Sequence, residues 1–246
     1  MTDESITSEL LTRLERCMET HDREQAVGAI LDAVEAGSSM EDLYSRVLEP
    51  FLKMVGRRWQ ERRTTVWEEH LIVGAVRTAV EALYPRVLER KAEVEPVPLT
   101  VAFFCPPEET HDIGLRMLAD RFDMRGFRTV YVGAMTPVVQ MVDCVRTTGA
   151  SVICLSASTH YQRSALHEVV ARLHESLPQV RIVVGGPAFA HSDRGWEQYV
   201  VHSVESLLDK LVEEAQAGAV AAAAAQGSAA GAGKPLVPAD EERSDA

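Results

Sequence analysis

Residues 99–114 read Leu-Thr-Val-Ala-Phe-Phe-Cys-Pro-Pro-Glu-Glu-Thr-His-Asp-Ile-Gly, and this stretch decides the fold of the second half of the chain. Its first six residues are almost continuously apolar, which is typical of a strand buried in a parallel sheet. A polar loop with His111 at its centre follows, and a helical pattern begins directly after it. We therefore expect a strand, a loop and a helix, with His111 at the carboxyl end of the strand.

Three further apolar runs rich in β-branched residues follow this segment. They cover residues 129–132, 151–155 and 180–184. Helical patterns lie near residues 112–125, 137–148, 161–176 and 204–216. This alternation predicts an α/β domain over residues 98–216, with a doubly wound, flavodoxin-like (Rossmann-like) parallel sheet.

Residues 5–90 carry apolar side chains at helical spacing in four successive stretches. The fourth contains Leu71, Ile72, Ala75, Val76, Ala79, Val80 and Leu83. Short polar joints separate the stretches, so we expect an N-terminal four-helix bundle. Thr65 followed by Glu68 has the spacing of a capping box that begins the fourth helix. The charged, proline-bearing residues 89–98 are the expected linker.

From residue 217 the chain is rich in alanine, glycine and serine, and it ends in an acidic segment. Such a composition has too few large apolar groups to offset the entropy of ordering. We expect residues 217–246 to form a disordered tail, although the alanine run favours a few more turns of the last helix.

The net charge of −12 excludes an extended basic face, so direct nucleic-acid binding is not expected. No segment approaches the roughly 18 apolar residues of a membrane span. The four cysteines form no C-x-x-C pair, which favours a reducing compartment. We therefore expect a soluble, cytoplasmic protein.

Small residues recur where the predicted strands end. Ser156-Ala157-Ser158 follows the third strand, Gly185-Gly186 follows the fourth, and Gly114 begins the first helix of the sheet domain. The carboxyl ends of parallel strands meet at one edge, where ligands bind near the topological switch point. The sequence thus predicts a channel at this edge that admits a long, thin group.

The pattern Glu109-x-His111-x-x-Gly114, with these serine and Gly-Gly motifs, resembles the cobalamin-binding domain of methionine synthase, corrinoid methyl carriers and cobalamin-dependent mutases. The resemblance implies that His111 is the lower ligand of cobalt and that Glu109 tunes it by hydrogen bonding. It further implies that Gly114, Ser156, Ser158, Gly185 and Gly186 line the channel for the nucleotide tail of cobalamin. The family's serine motif commonly reads S-x-L, whereas this chain has S-x-S.

The histidine loop also allows other interpretations. A lone loop histidine is commonly a surface or capping residue. Zinc is disfavoured because Cys105 is the nearest soft ligand and no second pair completes a tetrahedral site. A dinucleotide site is disfavoured because no G-x-G-x-x-G follows the first strand.

A second resemblance concerns the bundle. Trp59 is followed after nine residues by Glu69-His70, a spacing similar to that of the CarH-type light-responsive regulators, which bind adenosylcobalamin beneath such a bundle. The similarity continues at Pro106-Pro107, Gly133 and Thr136-Pro137. It implies that Trp59 packs over the upper face of cobalamin and that Glu69 and His70 contact the adenosyl group. The competing interpretation is a bundle-end aromatic beside a solvated helix face.

Two departures from the CarH-type pattern are visible. That family usually carries a helix-turn-helix domain ahead of the bundle, and here the bundle pattern begins at the start of the sequence without a basic segment. The family also has a histidine after the tryptophan as second cobalt ligand, where this chain has Gln60. Bis-histidine ligation would therefore require His70 to substitute.

The function favoured by these patterns is a cobalamin-binding sensor module, light-responsive and dependent on adenosylcobalamin. It would signal through a homo-oligomer or a regulatory protein partner. The alternative is a corrinoid methyl carrier that holds methylcobalamin, and a storage role leaves no separate mark. No nucleophile constellation is present in the sequence, so we do not expect an enzyme.

Overall fold

The structure is a computed structural model that describes residues 3–230. Its first half consists of helices α1 (Asp3–Thr20), α2 (Arg23–Glu35), α3 (Met40–Asp42), α4 (Glu49–Gln60) and α5 (Val66–Ala92). A π-helical segment, Leu43–Leu48, joins α3 to α4, so that residues 40–60 form one helical stretch. Four helical stretches are thus present, and the predicted four-helix bundle is confirmed. The capping box of Thr65 and Glu68 is also present at the start of α5.

The π-helical segment was not predicted. Leu43, Tyr44, Val47 and Leu48 are all buried there, because the wider helix turns two adjacent pairs of side chains toward the core. Such segments are rare and often occur at functional positions. Here the segment buries the hydroxyl group of Tyr44 against the sheet domain.

The second half is a sheet of four parallel strands in the order β2-β1-β3-β4. The strands are β1 (Thr100–Phe104), β2 (Arg128–Gly133), β3 (Val152–Ser156) and β4 (Arg181–Gly185). Because β1 pairs with β2 on one side and with β3 on the other, the topological switch point lies between β1 and β3. All four predicted strands are confirmed.

Helices cover both faces of the sheet, as expected for a doubly wound fold. These are α6 (Ile113–Met124), α7 (Val138–Thr148), α8 (His160–Ser176) and α9 (Val204–Ala230). Helices α7 and α8 share one apolar cluster with the sheet, and α6 and α9 share another with its opposite face. A short 3-10 turn, Pro187–Phe189, follows β4.

The bundle packs against α6. Ile113, Met117 and Met124 of this helix belong to the apolar core of the bundle. The same helix carries three buried charged residues, Asp120, Arg121 and Asp123. The interface between bundle and sheet domain is therefore part apolar and part ionic.

Helix α9 extends beyond the predicted start of the tail at residue 217 and runs to Ala230. The reason is the alanine run, because alanine has the highest helix propensity. The remainder of the predicted tail, residues 231–246, lies outside the described residues. Within the described part of the chain, no helix combines the length and apolar character needed to cross a membrane.

Candidate functional site

The histidine loop connects β1 to α6 and is organised by a buried carboxylate. Glu109 is fully buried, and its Oε1 accepts hydrogen bonds from the backbone N–H of His111 at 2.8 Å and from His111 Nδ1 at 2.7 Å. Its Oε2 accepts from the backbone N–H of Ser158 at 2.7 Å. One side chain thus joins the loops that follow β1 and β3, the two strands at the switch point.

The electrostatics of this pair follow from its burial and hydrogen bonds. The hydrogen bond to Glu109 is the largest cause of a raised pKa of His111, and burial opposes it. Burial alone would raise the pKa of Glu109, but its hydrogen bonds from His111 and Ser158 outweigh burial and leave that pKa lowered. Glu109 therefore stays ionised and fixes the ring of His111 through Nδ1.

The second ring nitrogen of His111 is available to a ligand. No hydrogen bond to Nε2 is made by the residues that the structure describes, and 58% of the side chain is exposed. Among the same residues, no group of three or more His, Cys, Asp or Glu side chains is arranged to hold a metal ion. The loop thus offers a single imidazole nitrogen with a fixed orientation.

Further bonds hold the backbone of the loop. Glu108 adopts a left-handed conformation with φ of 68°, and its carbonyl accepts from Gln162 Nε2 at 3.4 Å. The carbonyl of Glu109 accepts from the N–H of Met135 at 3.0 Å. Contacts from α8 and from the loop after β2 therefore fix the conformation in which His111 is presented.

The predicted channel glycines fall into two groups. A Cβ atom at Gly114 or at Gly185 would meet no atom within 4 Å, so both residues border open space. A Cβ at Gly186, where φ is 102°, would lie 2.4 Å from the carbonyl oxygen of Ala157 and 2.9 Å from Ser156 Oγ. Gly186 thus allows the loops after β3 and β4 to approach each other beside the open space.

The bundle residues lie at the start of α5 and the end of α4. Arg77 of α5 pairs with Asp112 beside His111, so this helix lies against the histidine loop, and the charge of Glu69 contributes to the raised pKa of His111. His70 Nε2 lies 3.3 Å from Glu69 Oε2 and remains largely exposed. The indole of Trp59 is 49% exposed and makes no ring contact or side-chain hydrogen bond with any described residue, and Gln60 beside it is also exposed.

Trp67 differs from Trp59 in its surroundings. It is 56% exposed, and its ring packs against His21 at a centroid distance of 4.9 Å. It belongs to the first turn of α5, and its ring lies against the joint between α1 and α2.

Sequence reasoning missed Asp112, the neighbour of His111. Its carboxylate pairs with Arg77 of α5 and accepts a hydrogen bond from the Tyr131 hydroxyl at 2.7 Å. Burial would raise the pKa of Asp112, but the hydrogen bonds from Arg77 and Tyr131 leave it lowered. The sequence signal for this contact is Arg77, a charged residue in a helical stretch that otherwise contains the small or apolar residues Gly74, Ala75, Val76 and Ala79.

Comparison with known proteins agrees with this geometry. Residues 99–222 match a family model described as a B12 binding domain, and a second model with the same description matches residues 10–84. The first match covers the sheet and its loops, and the second covers most of the bundle.

Two named relatives indicate different roles within this group. The HTH-type transcriptional repressor CarH of Myxococcus xanthus is 29% identical over 72% of this chain, a match that spans 57% of that repressor. Trimethylamine corrinoid protein 1 of Methanosarcina acetivorans is 22% identical over 72% of this chain and 83% of its own length.

A solved structure shares the fold. The monomethylamine corrinoid protein of Methanosarcina barkeri superposes with a TM-score of 0.68 at 19% identity, over 84% of this chain and 99% of its own. The two proteins thus share this fold. Together with the match over residues 99–222, this places the chain in the B12 binding domain family, as a protein with a cobalamin-binding domain.

Proposed function

We propose that this protein is a non-catalytic sensor that holds adenosylcobalamin between its bundle and its sheet, with His111 as the lower ligand of cobalt. Light removes the adenosyl group in this proposal, and the bundle then changes the assembly of the protein or its binding to a partner. The observation that carries the proposal is the ion pair between Arg77 of α5 and Asp112, the neighbour of His111, which holds the bundle against the histidine loop.

The residues at the carboxyl edge fit the cofactor. A cobalt ion in a corrin ring can take one protein nitrogen as its lower ligand, and the loop presents Nε2 of His111 with Nδ1 held by Glu109 at 2.7 Å. Metal-bound imidazoles generally donate their other nitrogen to a carboxylate in this way. Gly114 and Gly185 border open space, which suits passage of the nucleotide tail.

The residues of the bundle fit an adenosyl cap. Glu69 and His70 are paired side chains with hydrogen-bonding capacity, and Trp59 offers a half-exposed aromatic surface at the end of α4. When bound, adenosylcobalamin would supply a weak cobalt–carbon bond that visible light breaks. The role of Glu69, His70 and Trp59 is to bind the adenosyl group in the dark. Loss of that contact would leave the bundle without its ligand.

The first experiment tests light-dependent assembly. The protein is loaded with adenosylcobalamin in the dark, and its visible spectrum and elution volume are recorded before and after green light. We expect both to change. A spectrum that changes without a shift in elution volume contradicts assembly as the output, and a preparation that takes up no cobalamin contradicts the whole proposal.

The second experiment uses two tryptophans as a matched pair. Replacement Trp59→Ala should weaken retention of adenosylcobalamin, because the aromatic cover of the upper face is lost. Trp67→Ala removes a similarly exposed indole that packs against the α1–α2 joint, and it should leave retention unchanged. Equal retention by both variants would contradict the cap role of Trp59.

A corrinoid methyl carrier is the second candidate. The observation that favours it is the alignment with trimethylamine corrinoid protein 1, which spans 83% of that protein, more than the match to CarH spans of the repressor. A carrier would retain methylcobalamin at least as well as adenosylcobalamin. It would also pass the methyl group to a thiol when a methyltransferase is added, and that result would reverse our ranking.

A further inference from the structure

We infer that Arg77 is a positioning residue, which couples the docking of the bundle to the conformation of the histidine loop through Asp112. The inference rests on the proposed role of His111 as a cobalt ligand. It concerns Arg77, which lies outside the motifs that identified the site, and Asp112, which occupies an unspecified position within one of them.

The side chain of Asp112 does not make the capping hydrogen bonds that its position at the start of α6 favours. It is the N-cap residue of α6, and aspartate at this position usually accepts hydrogen bonds from the first N–H groups of the helix. No such side-chain bond is formed here. Its two carboxylate oxygens instead bind Arg77 and the hydroxyl of Tyr131. Departures from local rules of this kind are expected at functional positions.

The surrounding backbone is shaped for this arrangement. Gly133 ends β2 with φ of 84°, and a Cβ there would lie 3.0 Å from the Tyr131 hydroxyl and 3.1 Å from Asp112 Oδ2. A side chain at this position would therefore crowd the hydrogen bond between Asp112 and Tyr131. Three segments, namely α5, the histidine loop and the end of β2, meet at one carboxylate.

Arg77 and Glu69 lie on the same helix, eight residues apart in number, or about 12 Å along the axis. Arg77 binds Asp112, the residue that follows His111, so this contact ties α5 to the histidine loop about two turns beyond Glu69. When the bundle moves away, Asp112 keeps Tyr131 and loses its only cationic partner among the described residues.

The control for this inference is an ion pair that joins the bundle to the sheet domain without contacting the histidine loop. The chain contains such a pair. Lys91 of α5 pairs with Asp123 of α6 at 2.5 Å, and Asp123 also accepts from the Thr129 hydroxyl of β2 at 2.8 Å. The exposed fractions of the two cations are similar, 37% for Arg77 and 32% for Lys91. Lys91→Gln therefore removes an equivalent link between bundle and sheet, but at a distance from the histidine loop.

The test is hydrogen–deuterium exchange of the full chain without cobalamin, read over residues 108–113. Arg77→Gln should accelerate exchange there on the order of threefold to tenfold, as expected for loss of a partly screened charge-assisted bond. Lys91→Gln should leave the same residues at the wild-type rate. An unchanged rate in Arg77→Gln, or equal acceleration in Lys91→Gln, would overturn the inference.

A second variant covers the case in which Arg77→Gln does not fold. Asp112→Asn removes the charge that Arg77 pairs with and retains an oxygen for Tyr131. It should accelerate hydrogen–deuterium exchange of residues 108–113 to a similar extent. Adding Arg77→Gln to Asp112→Asn should not increase that exchange rate further. A wild-type rate in Asp112→Asn, or additive effects in the double variant, would contradict coupling through Asp112.

The exchange experiment distinguishes this inference from the proposed function. If wild-type protein fails to ligate cobalt through His111, the proposed function is wrong. Faster exchange of the histidine loop in cobalamin-free Arg77→Gln would still establish the positioning contact. If wild-type protein ligates cobalt and Arg77→Gln shows no faster loop, the positioning role is wrong and the cofactor assignment stands.

Discussion

Glu109 has three hydrogen-bond donors on a fully buried carboxylate: the backbone N–H and the Nδ1 of His111, and the N–H of Ser158. A buried charge is tolerated only when it is paired and hydrogen-bonded, and the carboxylate of Glu109 meets this condition through its three donors. The resemblance predicted that Glu109 tunes His111, and the hydrogen bond between them is present. It also predicted Ser158 as a lining residue, which stays a prediction, and the structure shows in addition that the backbone N–H of Ser158 donates to Glu109.

At the residue scale, we predict that Glu109→Gln lowers cobalamin affinity by about 10- to 100-fold, the usual cost of losing a partner of a metal-bound histidine. An amide has one acceptor oxygen, so it cannot serve both His111 and Ser158. Titration of the cobalamin-free protein, followed by visible absorption, measures the effect.

The matched control for this prediction is Glu108→Gln. Glu108 is the exposed neighbour in the chain, and its contact with Gln162 uses the backbone carbonyl, which the substitution retains. Its affinity should equal that of the wild type. An undiminished affinity of Glu109→Gln would show that the buried carboxylate does not support His111 as a ligand.

At the element scale, α5 begins with a capping box and carries Glu69, His70 and Arg77 along its length. Hydrogen bonds from the side chain and backbone of Thr65, followed by one from His21, lower the pKa of Glu68 to about 2 from an ordinary value of 4.5. Because the folded pKa is the lower one, ionised Glu68 stabilises the folded state above pH 4.5. This contribution is lost as the pH falls toward 2.

We therefore predict that Glu68→Gln lowers the melting temperature at neutral pH and that its difference from the wild type vanishes as the pH approaches 2. Glutamine retains capping-box hydrogen bonds, so the difference isolates the charge. Glu89→Gln, at the exposed far end of α5, should follow the wild type throughout. A difference that persists unchanged in acid would contradict the assignment.

The elements of the fold could be predicted from sequence to a large extent, because periodicity reports which face of each segment is buried. The four strands, the four helical stretches and the capping box of α5 follow from such patterns. The contact of Arg77 with Asp112 could not be predicted, since it joins residues 35 positions apart. The π-helical segment Leu43–Leu48 was also missed, because apolar spacing does not distinguish a π-helical turn from an α-helical one.

At the scale of the whole molecule, the bundle and sheet domain meet through a polar contact within the core. The hydroxyl of Tyr44 donates to Asp120 Oδ2 at 2.9 Å, and Arg116 binds Oδ1 of the same carboxylate at 2.9 Å. Both Tyr44 and Asp120 are only 1% exposed. Interfaces of this mixed character are typical of domains that can move relative to each other.

We predict that Tyr44→Phe lowers the free energy of unfolding by about 1–3 kcal/mol, because a buried carboxylate loses a hydrogen-bond donor. Chemical denaturation monitored by circular dichroism measures this loss. Tyr161→Phe removes a hydroxyl from a side chain that is 70% exposed and should have no effect. Equal stability of the two variants would show that the Tyr44 contact does not join the two halves of the molecule.

The central claim is that His111 binds cobalt, and electron paramagnetic resonance of the protein with Co(II) cobalamin tests it most directly. The protein is prepared with histidine labelled by the heavy nitrogen isotope, while the cobalamin is unlabelled. Ligation by His111 predicts that the nitrogen splitting of the cobalt lines changes from triplets to doublets, and that His111→Ala lacks this doublet pattern. Triplets that persist in the labelled protein would mean that the nucleotide base still occupies the lower position, and would contradict the account.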